Sequence, residues 1–328
     1  MQPGMELWRH VEVGEANEAR YHADLVLEDP ESFDDINRAL PEEVLSILAD
    51  HEYTWTVLHH SLQEAGRKRH AAWLLSGSSY GTAKWLNWRG GLHGRYRFGR
   101  GEFLEALRLR LLVDPFPNPG TRICSHCARV RFVDNPTHAL DCAKLTNARV
   151  WRHNAVRDHL QIALQKVFPE ARFRVEHTIA GDTPGKTVRT DIHMSLGPRT
   201  VVFDVAVVDP AAPSYLAQSS FKEPNVAAKQ REDAKRAHWA AIGGVTGVEF
   251  IPFVVEATGR MGPSALTYFK RKIESEDNPH IAKTFLTNMN YAIAKWNAKM
   301  ILKSRDLAPQ GFGPSQGADR NAGGGLRT

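Results

Sequence analysis

Cysteine is scarce in this chain, with three residues in 328. Two of them, Cys124 and Cys127, form a Cys-x-x-Cys pair, and Cys142 follows a short distance later. So few cysteines argue against the disulfide framework of a small secreted domain, and the paired spacing is typical of metal ligands. We therefore expect a reducing compartment and a metal site.

Long hydrophobic runs are also missing. No window contains the roughly 18 uncharged apolar residues that a membrane-spanning helix needs. The N-terminal sequence MQPGMELWRHVEVGEANEAR lacks the apolar core of a secretory signal. We therefore expect no membrane partner. The length and the 42% hydrophobic content are sufficient for two modest cores.

Acidic residues are absent between residues 65 and 101. The basic residues of this stretch are Arg67, Lys68, Arg69, Lys84, Arg89, Arg95, Arg97 and Arg100. Aromatic residues are interleaved with them, at Trp73, Trp85, Trp88, Tyr96 and Phe98. One interpretation is a nucleic-acid-binding region, because basic side chains contact phosphates and aromatic faces stack on bases. The other is a solvated basic face whose aromatic side chains belong to a helical core. The net charge of +5 is a mild further indication of polyanionic partners.

The cysteines lie in a pattern that also includes a histidine, Cys124-x2-Cys127-x10-His138-x3-Cys142. Three thiolates and one imidazole give Zn²⁺ a closed tetrahedral shell, which leaves no open position for a reacting water. The spacing therefore predicts a structural zinc knuckle. His126 and His153 are nearby histidines that the spacing alone leaves open as ligands.

Two strands joined by a turn are predicted between Lys186 and Pro210. The second strand reads TVVFDVAVV, which is typical of a strand buried on both faces, with Asp204 in its middle. Pairing the strands about the turn places Asp191 directly opposite Asp204. Two carboxylates that close repel each other, and a divalent cation between them would remove the conflict. The alternative is that Asp191 is a surface turn residue and Asp204 lies on a solvated edge.

The remaining pattern predicts an α/β fold. Residues 155–302 read as a mixed sheet flanked by helices. A helical, basic and aromatic region (1–113) and the zinc knuckle (114–154) precede it. Residues 303–328 are rich in glycine and are predicted to be a disordered tail.

The order of these motifs resembles a known family. The knuckle is followed by Arg152-His153-Asn154, by Arg189-Thr190-Asp191 and by the strand FDVAVV with Asp204. The segments DPAAPSYL, AAKQREDAKRAHW and FIPFVVEATGRMGPSA come next. This series is similar to the carboxy-terminal part of non-LTR (LINE-type) retrotransposon polyproteins. In that family a CCHC zinc knuckle precedes a restriction-like endonuclease of the PD-(D/E)xK superfamily, and the resemblance covers roughly residues 70–300.

The resemblance implies roles for particular residues. Asp191 matches the first catalytic acid and Asp204 the second. The position two residues after the second acid, which is lysine in the simplest superfamily pattern, is Ala206 here. The family places the lysine on the following helix, which points to Lys235. Lys229 and Lys222 are the alternatives, and Glu176 matches a further acidic position; Thr190 stands where the family often has proline.

The resemblance also implies an activity. Asp191 and Asp204 would hold Mg²⁺ or Mn²⁺, and the enzyme would nick DNA in the nucleus to give a 3′-hydroxyl that primes reverse transcription. Its partners would be DNA, element RNA and a separate or upstream reverse transcriptase, because no Tyr-x-Asp-Asp motif occurs in these 328 residues. The missing polymerase leaves an alternative. A degraded or domesticated copy would be a non-catalytic, zinc-dependent nucleic-acid-binding protein.

Overall fold

The computed structural model describes residues 56–79, 81–87, 98–111, 123–132, 134–274 and 279–305. Residues 56–64 are helical. The α-helices that follow are α1 (Lys68–Gly77), α2 (Arg100–Arg110), α3 (Thr146–Val167), α4 (Pro213–Leu216), α5 (Val226–Ala241), α6 (Pro263–Tyr268) and α7 (Pro279–Arg305). The strands are β1 (Arg172–Ala180), β2 (Thr187–Leu196), β3 (Arg199–Val208) and β4 (Val248–Glu256). Short 3-10 turns cover Lys84–Asn87, His138–Leu140 and Ala143–Leu145, and a π-turn covers Phe269–Ile273.

The four strands form one mixed sheet in the order β1-β2-β3-β4. The β1–β2 and β2–β3 pairs are antiparallel, and the β3–β4 pair is parallel. Since parallel neighbours need a long crossover connection, the chain between β3 and β4 contains α4 and α5. The predicted α/β class, with a mixed sheet flanked by helices, is confirmed.

The β2–β3 hairpin has the predicted register. Ile192 pairs with Phe203 and Leu196 with Arg199, so Gly197 and Pro198 alone form the turn. Gly197 adopts a φ of 57°, which glycine takes without strain at the first position of a tight hairpin turn. The regular pairing ends at Ile192, one residue before Asp191 would face Asp204. The two strands therefore begin to separate at the acidic pair.

Helices cover β3 on both faces, as its apolar run predicts. On one face, Phe203 and Val205 pack in the main core with side chains of α3, α6 and α7, such as Leu160 and Met289. On the other face, Ala206 and Val208 pack against Ala227 of α5. Asp204 is thus held between two helical layers, near the place where α3 and α5 approach the sheet from opposite sides.

The residues before 56 lie outside the described part of the chain, as do those after 305. Residues 303–305, which the sequence assigns to the tail, continue helix α7. No helix in the described ranges has the length and apolarity needed to cross a membrane.

A buried carboxylate fixes the helix turn that bears Lys235. Glu232 and Lys235 are both buried on the inward side of α5. The Glu232 carboxylate accepts hydrogen bonds from the Ser264 backbone N–H at 3.0 and 3.2 Å and from the Ser264 hydroxyl at 2.7 Å. This satisfies the free N–H group at the start of α6 and ties α5 to it.

Gly262 makes this close approach possible. A Cβ atom at that position would lie 2.4 Å from Glu232 Oε1 and 3.1 Å from Ala228 Cβ. We predict that Gly262→Ala lowers the free energy of unfolding by about 1–3 kcal/mol, measured by urea denaturation. Gly101→Ala is the matched control, because its Cβ would meet only Leu302, at 3.7 Å, inside a helix. The control should be neutral or stabilising by up to about 1 kcal/mol, and equal losses in both variants would contradict this account.

Candidate functional site

Cys124, Cys127, His138 and Cys142 converge in the structure. Their ligand atoms all lie within 4.8 Å of one another. Cys124 Sγ is 3.9 Å from Cys142 Sγ, and Cys127 Sγ is 3.2 Å from His138 Nε2. Ligands held at zinc bond lengths and tetrahedral angles lie about 3.5–3.8 Å apart. The group therefore has the donor set and the approximate spacing of a closed zinc site, and it could hold such a metal.

A carboxylate orients the histidine of this group. Asp141 Oδ1 lies 3.4 Å from His138 Nδ1, so the other ring nitrogen, Nε2, faces the cysteines. The Asp141 carboxylate raises the pKa of His138 despite the opposing effect of burial. A carboxylate behind a ligating imidazole is the usual arrangement at zinc sites, because it fixes the ring and makes it more basic.

The thiols differ in how readily they ionise. Burial works against ionisation of Cys127, but the backbone N–H groups of Arg129 and Val130, together with His138, lower its pKa to about 7. Burial raises the pKa of Cys142 to about 11. Zinc binding at neutral pH therefore releases a proton from the buried Cys142 thiol, and this proton release weakens zinc binding as the pH falls.

The knuckle packs against distant parts of the chain. Cys124 and Cys142 are buried in one core cluster with Trp73 of α1 and Met300 of α7. The Ser125 hydroxyl donates to the Ser304 carbonyl at 2.7 Å. His126 Nε2 lies 3.2 Å from the carbonyl of the neighbouring Lys303, and His126 is not in the ligand group. The knuckle thus contacts the last turns of α7, across the region boundary that the sequence predicts.

The second site lies where β2 and β3 separate. The side chains of Asp191 and Asp204 are 19% and 26% exposed, so both remain accessible from solvent. Asp191 Oδ2 accepts a hydrogen bond of 2.6 Å from the Val205 backbone N–H. The carboxylate of Asp191 therefore reaches across the gap toward β3 and lies beside Asp204.

His153 holds the first of these carboxylates from α3. Its Nε2 lies 3.0 Å from Asp191 Oδ1. Burial by itself would raise the pKa of Asp191, but the hydrogen bonds from His153 and Val205 bring it below its ordinary value. Each Asp191 oxygen thus has one donor from the protein and keeps further lone-pair capacity. The structure assigns His153 to the carboxylates and not to the zinc knuckle.

Lys235 holds the second carboxylate from α5. The Lys235 ammonium donates a hydrogen bond to Asp204 Oδ1. Burial raises the pKa of Asp204 and the negative charge of Asp191 adds to this rise, although Lys235 opposes both effects. The alternative lysines, Lys229 and Lys222, are exposed. The structure therefore brings Lys235 to the acidic pair.

Glu176 does not join Asp191 and Asp204. Its φ is 53°, an unusual value for this residue type, and it interrupts the β1–β2 pairing between Val175 and His177. The Glu176 carboxylate is bound by Arg157 of α3 at 2.8 Å and by Arg189. In the described ranges, the Cys/His group is the one set of three or more potential metal ligands that converge. The proposed role of Glu176 beside the acidic pair is thus not supported by its geometry.

The basic stretch is only partly available for binding. Trp73 and Trp85 are 4% and 5% exposed, so they are core side chains and are too buried to stack on bases. Arg69 donates to the Ala211 carbonyl at 2.7 Å, and Lys84 is half-buried. Arg67, Lys68 and Arg100 are exposed. The other predicted contacts, Arg89, Arg95 and Arg97, lie outside the described residues.

Sequence reasoning missed two contributors. The separation of His153 from Asp191, 38 residues along the chain, gave no local signal of their contact. Asp141 was overlooked beside Cys142, although a carboxylate three residues after a ligating histidine is a signal that could have been used.

Comparison with known proteins adds no assignment. No protein-family model matches the sequence, and no curated protein matches it significantly. The site must therefore be interpreted from its own geometry.

The zinc group gives a direct prediction. The purified protein should contain about one zinc ion per chain, and Cys127→Ser should remove it and lower the midpoint of thermal unfolding. The reason is that Cys124, His138 and Cys142 would lose the ion that joins their segments of the chain. His126→Ala is the control and should keep the metal. Elemental analysis that finds no zinc in the unmutated protein would refute the assignment.

Proposed function

We propose that this protein is a metal-dependent DNA endonuclease with a PD-(D/E)xK-type catalytic core. One observation carries the proposal. Two accessible carboxylates, Asp191 and Asp204, lie side by side at the point where two strands separate, and Lys235 reaches them from helix α5. A pair of like charges with this exposure is unfavourable in a protein that has no use for it.

The donor set fits Mg²⁺ or Mn²⁺. Carboxylate oxygens are the ligands that these hard cations prefer, and both aspartates retain lone pairs beyond their contacts with the protein. Asp191 and Asp204 would hold the ion. When bound, it would supply an activated water and offset the charge of the scissile phosphate. This fit rests on the two aspartates alone, because no third carboxylate among the described residues converges with Asp191 and Asp204.

In the proposed reaction, Lys235, His153 and the Val205 backbone have different roles. Lys235 has three donors, so it can keep its bond to Asp204 while another N–H stabilises charge that develops on a phosphoryl oxygen. His153 fixes the rotamer of Asp191 and thereby keeps one carboxylate oxygen directed at the ligand position. The backbone N–H of Val205 fixes the other oxygen in the same way.

The resemblance to non-LTR retrotransposon polyproteins suggests the biological role of this cleavage. The enzyme would nick target DNA and leave a 3′-hydroxyl that primes reverse transcription by a separate or upstream polymerase, in the nucleus. The zinc knuckle and the exposed basic residues Arg67, Lys68 and Arg100 would bind DNA or element RNA.

A second function is favoured by a different observation. The Cys/His group and the exposed basic residues could bind zinc and nucleic acid in a protein that has no catalytic activity. A non-catalytic, zinc-dependent nucleic-acid-binding protein would need only these features. Cleavage distinguishes the two functions.

We predict that the zinc-loaded protein nicks supercoiled plasmid in Mg²⁺ or Mn²⁺ and that Asp204→Asn abolishes nicking. The asparagine removes the charge of a metal ligand but keeps an acceptor for the buried Lys235, so folding should survive. Lys235→Ala should slow cleavage about 10²- to 10³-fold. His153→Gln should slow it less than His153→Ala, for which we expect about 10- to 100-fold.

Lys229→Ala is the matched control, because it removes an exposed lysine from the same helix. It should cut at the native rate. If Lys229→Ala or Lys222→Ala abolishes cleavage while Lys235→Ala does not, the lysine is assigned wrongly although the nuclease function stands. If the folded, zinc-loaded protein cuts no form of DNA with either ion, the binding function replaces the enzymatic one.

A further inference from the structure

Beside the acidic pair, one half of a sheet face is not covered by any of the described helices. Helix α5 packs over β3 and β4, where its Trp239 stacks on Phe250. Phe250 pairs with Val202, and Val202 pairs with His193 of β2. The same row continues to Arg174 on β1, the edge strand, which is exposed. This row of paired residues thus runs from the half of the sheet face that α5 covers to the half, on β2 and β1, that α5 does not cover.

The open half is basic. Arg174 is directly opposite His193, and Arg172 is directly opposite Ser195. His177 joins them, because its ring lies 5.1 Å from that of His193 and its Nε2 is 3.4 Å from Arg174 Nη1. We call Arg172, Arg174, His177 and His193 the basic rungs. Within the described part of the chain, neither Arg172 nor Arg174 forms an ion pair with an acidic side chain.

The basic rungs begin next to the acidic pair. His193 follows Asp191 by two residues on β2, which corresponds to about 6.7 Å along a strand, and Ser195 lies one such step further. Glu176 is the acidic residue nearest to them on β1, and Arg157 and Arg189 already bind its carboxylate. Burial, together with the neighbouring His177 and Arg174, lowers the pKa of His193, so the positive charge of this row comes from Arg172 and Arg174. Among the described residues, no acidic side chain offsets these two charges, and His193 separates them from the two aspartates. A polyanion with charges repeated along its length is complementary to such a row.

We propose that the basic rungs bind the phosphodiester backbone of duplex DNA next to the bond presented to Asp191 and Asp204. Arg172 and Arg174 each contact a phosphate. His193 and His177 line the surface along which the DNA backbone runs from these arginines to the acidic pair. The location of the cut bond rests on the proposed nuclease function, whereas binding by the arginines does not. This surface differs from the basic stretch of residues 67–100, from which the sequence predicts nucleic-acid contacts.

The test measures binding separately from cleavage. Affinity for a fluorescent DNA duplex is determined by anisotropy without divalent cation over a range of salt concentrations. Each lost phosphate contact should reduce the salt slope by about 0.9, so the double variant Arg172→Ala/Arg174→Ala should lose nearly two units of slope. At about 0.1 M salt this corresponds to up to about 60-fold weaker binding. The charge-preserving variant Arg172→Lys/Arg174→Lys should recover most of the slope.

The matched control is Lys270→Ala/Arg271→Ala, which removes two exposed positive charges from the π-turn. It should lose much less slope than the arginine variant. The affinity for a duplex RNA of the same length shows whether the basic rungs distinguish RNA from DNA. Tighter binding of RNA than of DNA would contradict the proposal that DNA is the ligand.

The remaining outcomes separate the two proposals. An unmutated protein that binds duplex DNA through these arginines but cuts nothing supports the surface and contradicts the nuclease function. A protein that nicks DNA while the arginine variant binds like the control contradicts the surface and leaves the nuclease function standing. Absence of any duplex binding by the unmutated protein would overturn the surface.

Discussion

The electrostatic conflict between Asp191 and Asp204 is the constraint on which the arrangement of this protein depends. Two carboxylates share a half-buried position where the pairing of β2 and β3 ends, and the charge of Asp191 disfavours ionisation of Asp204. The protein meets this cost from three sides, with His153 from α3, the Val205 backbone N–H from β3 and Lys235 from α5. Both helices must therefore be fixed closely relative to the sheet. Glu232 serves that purpose for α5 by joining it to the start of α6.

Two successive residues of helix α3 contact the two sites: Arg152 contacts the knuckle, and His153 contacts Asp191 of the acidic pair. Arg152 is buried, and it donates to Asn297 of α7 at 2.7 Å and to the Leu140 carbonyl beside the knuckle at 3.3 Å. The next residue, His153, holds Asp191. Helix α3 thus contacts the knuckle through Arg152 and the acidic pair through His153.

Features with local causes could be predicted from the sequence. The apolar runs of β3 and β4 and the Gly197-Pro198 turn specify the hairpin, and the cysteine spacing specifies the metal group. Features that depend on packing could not be predicted. The left-handed backbone at Glu176 turns its carboxylate toward Arg157, although strand alternation would have left it opposite Asp191. Trp73 is interleaved with basic residues in the sequence, yet it is buried against the knuckle, because a single segment does not show which of its faces another segment will cover.

Titration of the zinc-loaded protein with Mn²⁺, followed by the electron paramagnetic resonance signal of the free ion, tests the central claim most directly. The account predicts one Mn²⁺ site per chain that Mg²⁺ displaces, and this site should be lost in both Asp191→Asn and Asp204→Asn while Glu176→Gln retains it. Equal Mn²⁺ binding by the unmutated protein and both aspartate variants, or no binding by any of them, would contradict the account.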